Sequence, residues 1–505
     1  MQFDFLRSFG VQNFKLAVRR NDNRLKEYVR QHARLFGLSV QIVDIDSDRG
    51  PGGTLLATIE PEDLAAGVFV LLGDTLLEAK HPTPRTDTNE IYTAPVEDPE
   101  RWCMIDCDLE GAVTALEDKP EKTTPSAEAA IGCYWFGRIA PDTWSGIREN
   151  APTGRVELSY ILRQVSQQSG LRRKSTEGWL DCGNVDLLLA TRRKMVAARS
   201  FNTLKIDELR GTVRKCSQHG DKFRHEINYY RLLPHDLSVF FPRLISFETA
   251  QPGAHVELEY YAYPTLSEVY IYEEYRDSFW TAVFDKLGAI LAEFSRRSVR
   301  ISPDDCSLFY TSKLMRRLED AQRQSLLLAP LLSANEICLN GKTLRGVPRI
   351  VTALDRELTR LSQAPLGAVI HGDICFSNIL VEPLNKTIRL IDPRGSFHEV
   401  GIFGDARYDH AKLWHSVDGH YDAIINDMFG VKAAGVSLEF DCFRPRARDH
   451  ILHCLEQLVP AGASRRDLRL IEGSLFLSML PLHGDHPRRQ LAMLSTGLAI
   501  LNEEL

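Results

Sequence analysis

The chain has 505 residues, enough for two or three domains, and its 44% hydrophobic and 26% charged side chains are the balance of an ordinary soluble globular protein. A formal net charge of −7 gives no electrostatic reason to expect nucleic acid or an anionic membrane as partner. No apolar run approaches the ~20 residues of a spanning helix, the first residues lack a signal-peptide layout, and the scattered cysteines read as buried thiols of a reduced, cytoplasmic protein without a zinc site.

Along the chain, Gly50 to Ala57 reads as a glycine-rich turn leading into an apolar segment. A buried strand, Val68 to Leu72, follows and ends in Gly73-Asp74-Thr75, a common way to offer a carboxylate to a metal at the edge of an α/β sheet. Glu117-Asp118-Lys119-Pro120 comes next, then the apolar Ile131 to Phe136, then Trp179-Leu180-Asp181-Cys182-Gly183. Arg172-Arg173-Lys174 and Arg192-Arg193-Lys194 read as solvated helix or loop faces, and Trp135 and Trp179 as core aromatics.

In this order the pieces resemble the sugar-phosphate nucleotidyltransferases over residues 12–195. The resemblance implies a Rossmann-like α/β domain over 1–197, Asp74 and Asp181 as magnesium ligands, and Lys119 as a contact to a phosphorylated substrate. Asp118 stands where the family has Glu. The family's opening strand and its glycine-rich loop, whose amides cradle a nucleotide triphosphate, have no match before Gly50; Phe9-Gly10-Val11 is not that loop. The sheet is therefore expected to lack its first strand. Residues 1–195 are expected to show little nucleotidyl transfer and to act as a docking or dimerising platform, or to be completed by a separate upstream polypeptide. Asp74 and Asp181 then serve either metal binding or the fold.

After residue 198 the pattern changes. Leu209 to Ser217 reads as a strand carrying Lys215, and Asp221 to Leu233 as a helix carrying Glu226, with Phe223, Ile227 and Tyr230 on one face and Pro234 as the stop. A strand lysine followed by a helix glutamate is the ion pair that positions ATP phosphates in kinases. Val256 to Tyr261 reads as a strand, and helices are expected over 265–300, 305–330 and 350–363.

His371-Gly372-Asp373-Ile374-Cys375-Phe376-Ser377-Asn378 is the most informative stretch. Asp373 stands five residues before Asn378, and Asp392 fourteen after it. In catalytic loops of this spacing the first Asp accepts the proton of the attacking hydroxyl, and the Asn and later Asp hold magnesium. Gly372 stands where protein kinases have Arg. Ile379 to Val381 and Thr387 to Ile391 read as a hairpin turning at Asn385-Lys386, which would return Asp392 to the start of the loop. Gly404-Asp405 opens a helix running through Asp409 and Lys412, and helices are expected from there to the C-terminus.

These features resemble the aminoglycoside phosphotransferase and choline kinase family, over residues 200–505. The resemblance implies an α+β, two-lobed protein-kinase-like domain with an N-lobe over 198–263 and a C-lobe over 264–505. It implies ATP and Mg2+ as cofactors, Asp373 as catalytic base, Asn378 and Asp392 as metal ligands, and Lys215 with Glu226 at the phosphates. Asp405 is left to a structural role. No G-x-G-x-x-G loop is present; Ser200-Phe201-Asn202 is the candidate for its place. The acceptor is expected to be a small molecule, an amino alcohol or a sugar. Choline would want an aromatic cage, to which Tyr408 and Trp414 are candidates. Such a fusion resembles enzymes that feed activated units into bacterial surface polysaccharides. A kinase with an inert N-terminal scaffold, a bifunctional enzyme, a silent nucleotide-binding regulator and a protein kinase all stay open; the absence of an A-P-E-type segment after Asp392 weighs against the last.

Overall fold

A computed structural model describes all residues except 1, 46–48, 78–83, 97, 121–127, 185–186, 189–190, 192–202, 217–219, 250–253 and 398. Arg192-Arg193-Lys194, Ser200-Phe201-Asn202 and the junction near 198 lie outside the described residues. The chain divides into two compact units, Met1–Arg199 and Ser200–Leu505.

The first unit has more upstream of Gly50 than the sequence reading expects. Strands β1 (Asn13–Arg19) and β2 (Ser39–Ile45) pair in parallel through helix α1 (Asn23–Phe36). Asp22 starts that helix by accepting the Leu25 amide at 3.0 Å, and Gly37 ends it in the left-handed region at φ 62°. The segment Gly50–Thr58, expected as a turn, is instead a helix, α2. Its glycines serve close approach. A Cβ on Gly52 would lie 2.6 Å from the carbonyl oxygen of Glu157, and the Gly52 amide donates to Val156 at 2.9 Å.

The remaining strands are β3 (Val68–Leu71), β4 (Thr75–Leu77), β5 (Asn89–Pro95), β6 (Cys103–Cys107), β7 (Val113–Asp118), β8 (Glu128–Phe136), β9 (Arg172–Ser175) and β10 (Trp179–Asp181). The main sheet runs β7-β6-β8-β5-β9, with β3 also paired to β8. Helices α3 (Pro141–Glu149) and α4 (Leu158–Ser169) bring Trp144, Ile147, Ile161, Leu162 and Val165 into one core with Val70, Ile91, Tyr134 and Phe136 of the sheet. Trp135 is buried, and Trp179 is half-buried edge-on to Trp102.

The second unit opens with an antiparallel sheet in the order β11 (Thr203–Asp207), β12 (Thr212–Cys216), β14 (His255–Glu259), β13 (Leu244–Glu248). Helix α5 (Gly220–Leu232) lays Phe223 and Ile227 against Val256 and Leu258. The buried Glu257 accepts from Thr212 at 2.9 Å and Ser246 at 2.8 Å, tying three strands together. The chain then becomes mostly helical: α6 (Leu266–Tyr272), α7 (Asp277–Ser295), α8 (Lys313–Gln324) and α9 (Val347–Gln363).

Two hairpins interrupt the expected run of helices. β15 (Glu336–Leu339) with β16 (Lys342–Arg345), and further on β21 (Phe429–Ala434) with β22 (Ser437–Cys442), form one sheet of order β16-β15-β22-β21. The first turns at Asn340-Gly341, both with positive φ, the strongest short-range hairpin signal and one passed over in the sequence. Between these hairpins, β17 (Gly367–Val369) pairs with β20 (Phe403–Asp405), and β18 (Ile379–Glu382) pairs with β19 (Thr387–Leu390). Helix α10 (Ala406–Val417) is buried along its whole length, and α11 (Arg465–Met479) is buried from Asp467 onward. Helix α12 (Pro487–Glu504) closes the chain. Among the described residues no helix is long and apolar enough to cross a membrane.

Candidate functional site

The β18–β19 hairpin has the expected register, from Ile379 opposite Leu390 to Glu382 opposite Thr387, so Asn378 and Asp392 lie just outside its two open ends. Two glycines set the loops around it. Gly372 has φ +79°, and a Cβ there would lie 2.7 Å from the Arg394 Cβ; this is the physical reason a side chain is missing between His371 and Asp373. Gly395 has φ +67°, and its Cβ would lie 2.0 Å from the carbonyl oxygen of His225, so the Asp392-Pro393-Arg394-Gly395 turn is pressed against helix α5. Asp392 itself is held at φ +56°, a conformation costly for a residue with a side chain and frequent at functional sites.

Three of the candidate residues meet directly. Lys215 Nζ lies 2.8 Å from Glu226 Oε2 and 3.1 Å from Asp392 Oδ1, so β12, α5 and the loop after β19 converge on one ammonium. Burial works against the charge on Lys215, but Asp392 and Glu226 outweigh it and hold its pKa above the ordinary lysine range. Burial and the nearby Asp392 push the Glu226 carboxyl up, while Lys215 pulls it down.

Asp373 and Asn378 meet as well. The Asn378 amide donates to the Asp373 carbonyl at 2.8 Å and approaches its carboxylate at 3.3 Å. Asp373 Oδ1 is 2.9 Å from the buried ammonium of Lys412 on α10. Burial would raise the Asp373 pKa, but Lys412, His371 and Arg394 hold it below the ordinary carboxylate range, so it is an ionised acceptor at neutral pH.

Two residues missed in the sequence support this loop. Asp409 on α10 is buried and accepts the amides of His371 at 2.6 Å and Gly372 at 2.8 Å; burial nevertheless lifts its pKa to about 7. His371 is fully buried, with Nε2 at 3.0 Å from the Ile391 carbonyl oxygen and Nδ1 accepting the Asp373 amide at 3.2 Å. Those partners require the neutral tautomer protonated on Nε2, and burial lowers the His371 pKa to about 4. The signal was available in order alone: Asp409 follows Asp405 by one helical turn and precedes Lys412. Asp405, left to a structural role, caps α10 and pairs with Arg407 in the interior.

The donor set suits magnesium. Asp392 Oδ1 is engaged by Lys215, its carboxylate is half-exposed, and Asn378 turns its amide nitrogen to Asp373, leaving oxygens of both side chains for a hard cation that keeps most of its waters. Among the described residues no three or more His, Cys, Asp and Glu side chains gather as a preformed cage.

In the first unit β10 pairs antiparallel with β4, placing Asp181 opposite Thr75. The Cys182 amide donates to the Asp74 carbonyl at 2.8 Å and the Gly183 amide to Asp181 Oδ1 at 2.7 Å. The position a Cβ would take on Gly183 is 3.1 Å from Asp181 Oδ1 and 3.2 Å from Asp74 Oδ2, so the two carboxylates named from sequence flank one point. Two carboxylates also suit magnesium, which is commonly held by one or two together with substrate oxygens. Lys119 follows the end of β7, exposed and with φ +53°, and among the described residues no ion pair joins it to Asp74 or Asp181. The turn from β1 into α1, Arg20–Asp22, contains no glycine.

Residues 18–197 match the family model described as nucleotidyl transferase. A glucose-1-phosphate thymidylyltransferase of an Actinoplanes species is 28% identical over 148 residues, 27% of this chain and 48% of the relative, so the chain spans about half the length of the curated relative it matches. Two solved structures align with 38% of the chain. One is a Bacillus anthracis protein assigned as a glucose-1-phosphate thymidylyltransferase, with sucrose bound, at 18% identity, 78% of that chain and TM-score 0.32. The other is HddC from Yersinia pseudotuberculosis, complexed with GMP-PN, at 17% identity, 83% of that chain and TM-score 0.28. The first unit therefore contains, over residues 18–197, a nucleotidyltransferase-like α/β domain.

Proposed function

We propose that this chain is a two-site transferase: a metal-assisted nucleotidyl-transfer domain in the first unit and an ATP-dependent, small-molecule phosphotransferase in the second. The first reading is supported by the family match over residues 18–197 together with the approach of Asp74 and Asp181 to one point at Gly183. A magnesium ion there would neutralise the phosphates of a nucleotide and of a phosphorylated acceptor. The sequence expectation of an inert platform rested on the missing glycine-rich loop; the glycine-free turn before α1 is consistent with that gap, and the carboxylate pair speaks for chemistry. Pyrophosphate release from CTP, UTP, dTTP, GTP or ATP with a panel of sugar phosphates tests it. Release that disappears in Asp74→Ala and Asp181→Ala is expected; no release with any pair overturns it in favour of a scaffold.

The second reading is carried by one observation, the Lys215 ammonium joined to both Glu226 and Asp392. A lysine held by a strand, oriented by a helix carboxylate and adjoining a metal-type Asp is what triphosphate positioning requires. Asp373 then takes the hydroxyl proton of the acceptor, and Asn378 and Asp392 would hold Mg2+, whose role when bound is to neutralise charge on the transferred phosphoryl group. The depressed pKa of Asp373 suits a loose transition state, in which the base takes the proton late. ADP release with ATP, magnesium and an acceptor panel tests this reading, and turnover unchanged in Lys215→Ala and Asp392→Ala would overturn it.

A further inference from the structure

Helix α8 brings a lysine and an arginine toward the phosphoryl-transfer loop, and neither is needed to position ATP. Lys313 Nζ lies 3.5 Å from the ring centre of Phe309 and 5.4 Å from that of Tyr408. The Arg394 guanidinium, delivered by the turn that carries Asp392, lies 5.0 Å from the same Phe309 ring centre, and its Nη1 is 3.5 Å from the Tyr408 hydroxyl. Among the described residues neither Lys313 nor Arg394 has a carboxylate partner, and Arg394 Nε is buried without a hydrogen bond. Arg317, one turn along α8, donates to the Ser478 carbonyl at 3.1 Å. Lys412 adds a fourth cation, and among the described residues the carboxylate in direct ion-pair contact with this group is Asp373, on Lys412.

Like charges collected in a half-buried space destabilise one another unless something neutralises them. Burial, followed by Arg394, Arg317 and Lys412, pushes the Lys313 pKa well below the ordinary lysine value, with Asp373 opposing. The aromatic faces that a cationic acceptor would need are taken. Tyr408 has Lys313 over it, and Trp414 is buried with Arg465 5.5 Å from its ring centre. The choline-cage expectation for Tyr408 and Trp414 is therefore overturned: protein cations already fill those sites.

Resting on the phosphotransferase reading of the second unit, we propose that its acceptor is an anionic hydroxy compound whose carboxylate or phosphate ester is bound by Lys313 and Arg394 while its hydroxyl faces Asp373. The hydroxyl oxygen attacks the γ-phosphorus of ATP and the new O–P bond forms. The bond from phosphorus to the β,γ-bridging oxygen breaks, and ADP leaves with its electron pair. The hydroxyl proton passes to Asp373 and then to water.

The test uses the intact chain with ATP and magnesium, and measures ADP release with glycerate, glycerol 3-phosphate, glycerol and choline. Efficiency should favour the two anions over glycerol and choline by about 10- to 100-fold, the scale of one or two charge-assisted hydrogen bonds. The glycerate and phosphate-ester arms separate the two anionic chemistries. Lys313→Met and Arg394→Gln should erase the margin, chiefly through KM. In parallel, inorganic phosphate is titrated calorimetrically into protein saturated with a non-hydrolysable ATP analogue and magnesium; it should bind the wild type at least ~10-fold more tightly than Lys313→Met. Choline or glycerol used as efficiently as the anions, or phosphate that does not bind or binds both proteins equally, overturns the anionic acceptor and leaves the phosphotransferase reading standing. Wild-type protein that does not bind the ATP analogue with magnesium overturns both.

Discussion

The two units hold their carboxylates in opposite ways. In the second, Glu226 and Asp392 share Lys215, Asp373 meets Lys412, and Asp409 grips two loop amides from within the core. In the first, among the described residues, Asp74 and Asp181 flank Gly183 with backbone contacts and neither meets a lysine or arginine. The unit that matches the nucleotidyl transferase model thus carries, among the described residues, the sparser site. Family patterns report which residue types recur in order; they say little about how firmly a site is held. A site whose charges are balanced by its own cations is preorganised before any ligand arrives. On the proposed reading, the carboxylate pair of the first unit would depend on a bound metal ion for that balance.

The largest effect that tests this contrast is expected from Asp373→Asn. It removes the proton acceptor of the proposed phosphotransferase, and on that reading turnover should fall by about 10²- to 10⁴-fold. Lys412 would lose its counter-charge in the interior, so the melting temperature should fall as well. Rates measured well below that temperature at the wild-type level would show that Asp373 is not the base.

The next concerns pH. The unfolded chain takes up a proton on His371 below about pH 6.5 that the folded protein refuses until about pH 4. Stability should therefore drop as pH falls through that window, by about 3 kcal/mol for this residue. His371→Asn should flatten the slope of unfolding free energy against pH by up to one proton; an unchanged slope would place the effect on other histidines such as the buried His410 and the half-buried His483, both also lowered to about 4.

Gly395→Ala should cost about 3 kcal/mol, because the added methyl meets the His225 carbonyl oxygen and the backbone is left-handed. Denaturant unfolding reads this directly, and a loss below ~1 kcal/mol would show that the turn is free to move away from α5. The smallest effect is expected in the first unit. Asp74→Ala should change unfolding stability by no more than about 0.5 kcal/mol while abolishing any pyrophosphate release. A large destabilisation would instead make Asp74 a residue of the fold and collapse the contrast between the two units.

Much of the second site was legible because its parts are local. The spacing of Asp373, Asn378 and Asp392 and the hairpin between them are settled by alternation and turn residues over about twenty positions, a range in which backbone geometry leaves few choices. Lys215 and Glu226 were found only through their order along the chain, and helix and strand periodicity placed them on facing elements. The approach of Asp74 to Asp181 needed the β4–β10 pairing across more than one hundred residues, which no local pattern encodes. The hairpin at Asn340-Gly341 was missed through an unread turn signal, and the helix at Gly50–Thr58 because glycine there answers to the backbone of Val156 and Glu157 rather than to a turn.

Sequence alone therefore determined the residue types, their spacing and the local elements that present them. Tertiary structure decided what surrounds them. That Asp409 holds the loop from beneath, that Gly372 makes way for Arg394, and that Lys313, Arg394, Arg317 and Lys412 gather near one carboxylate all depend on helices α8 and α10 packing beside a loop from another part of the chain. Charge acts through space and burial sets its strength, so the sign of the field around Asp373 is a property of the packed interior.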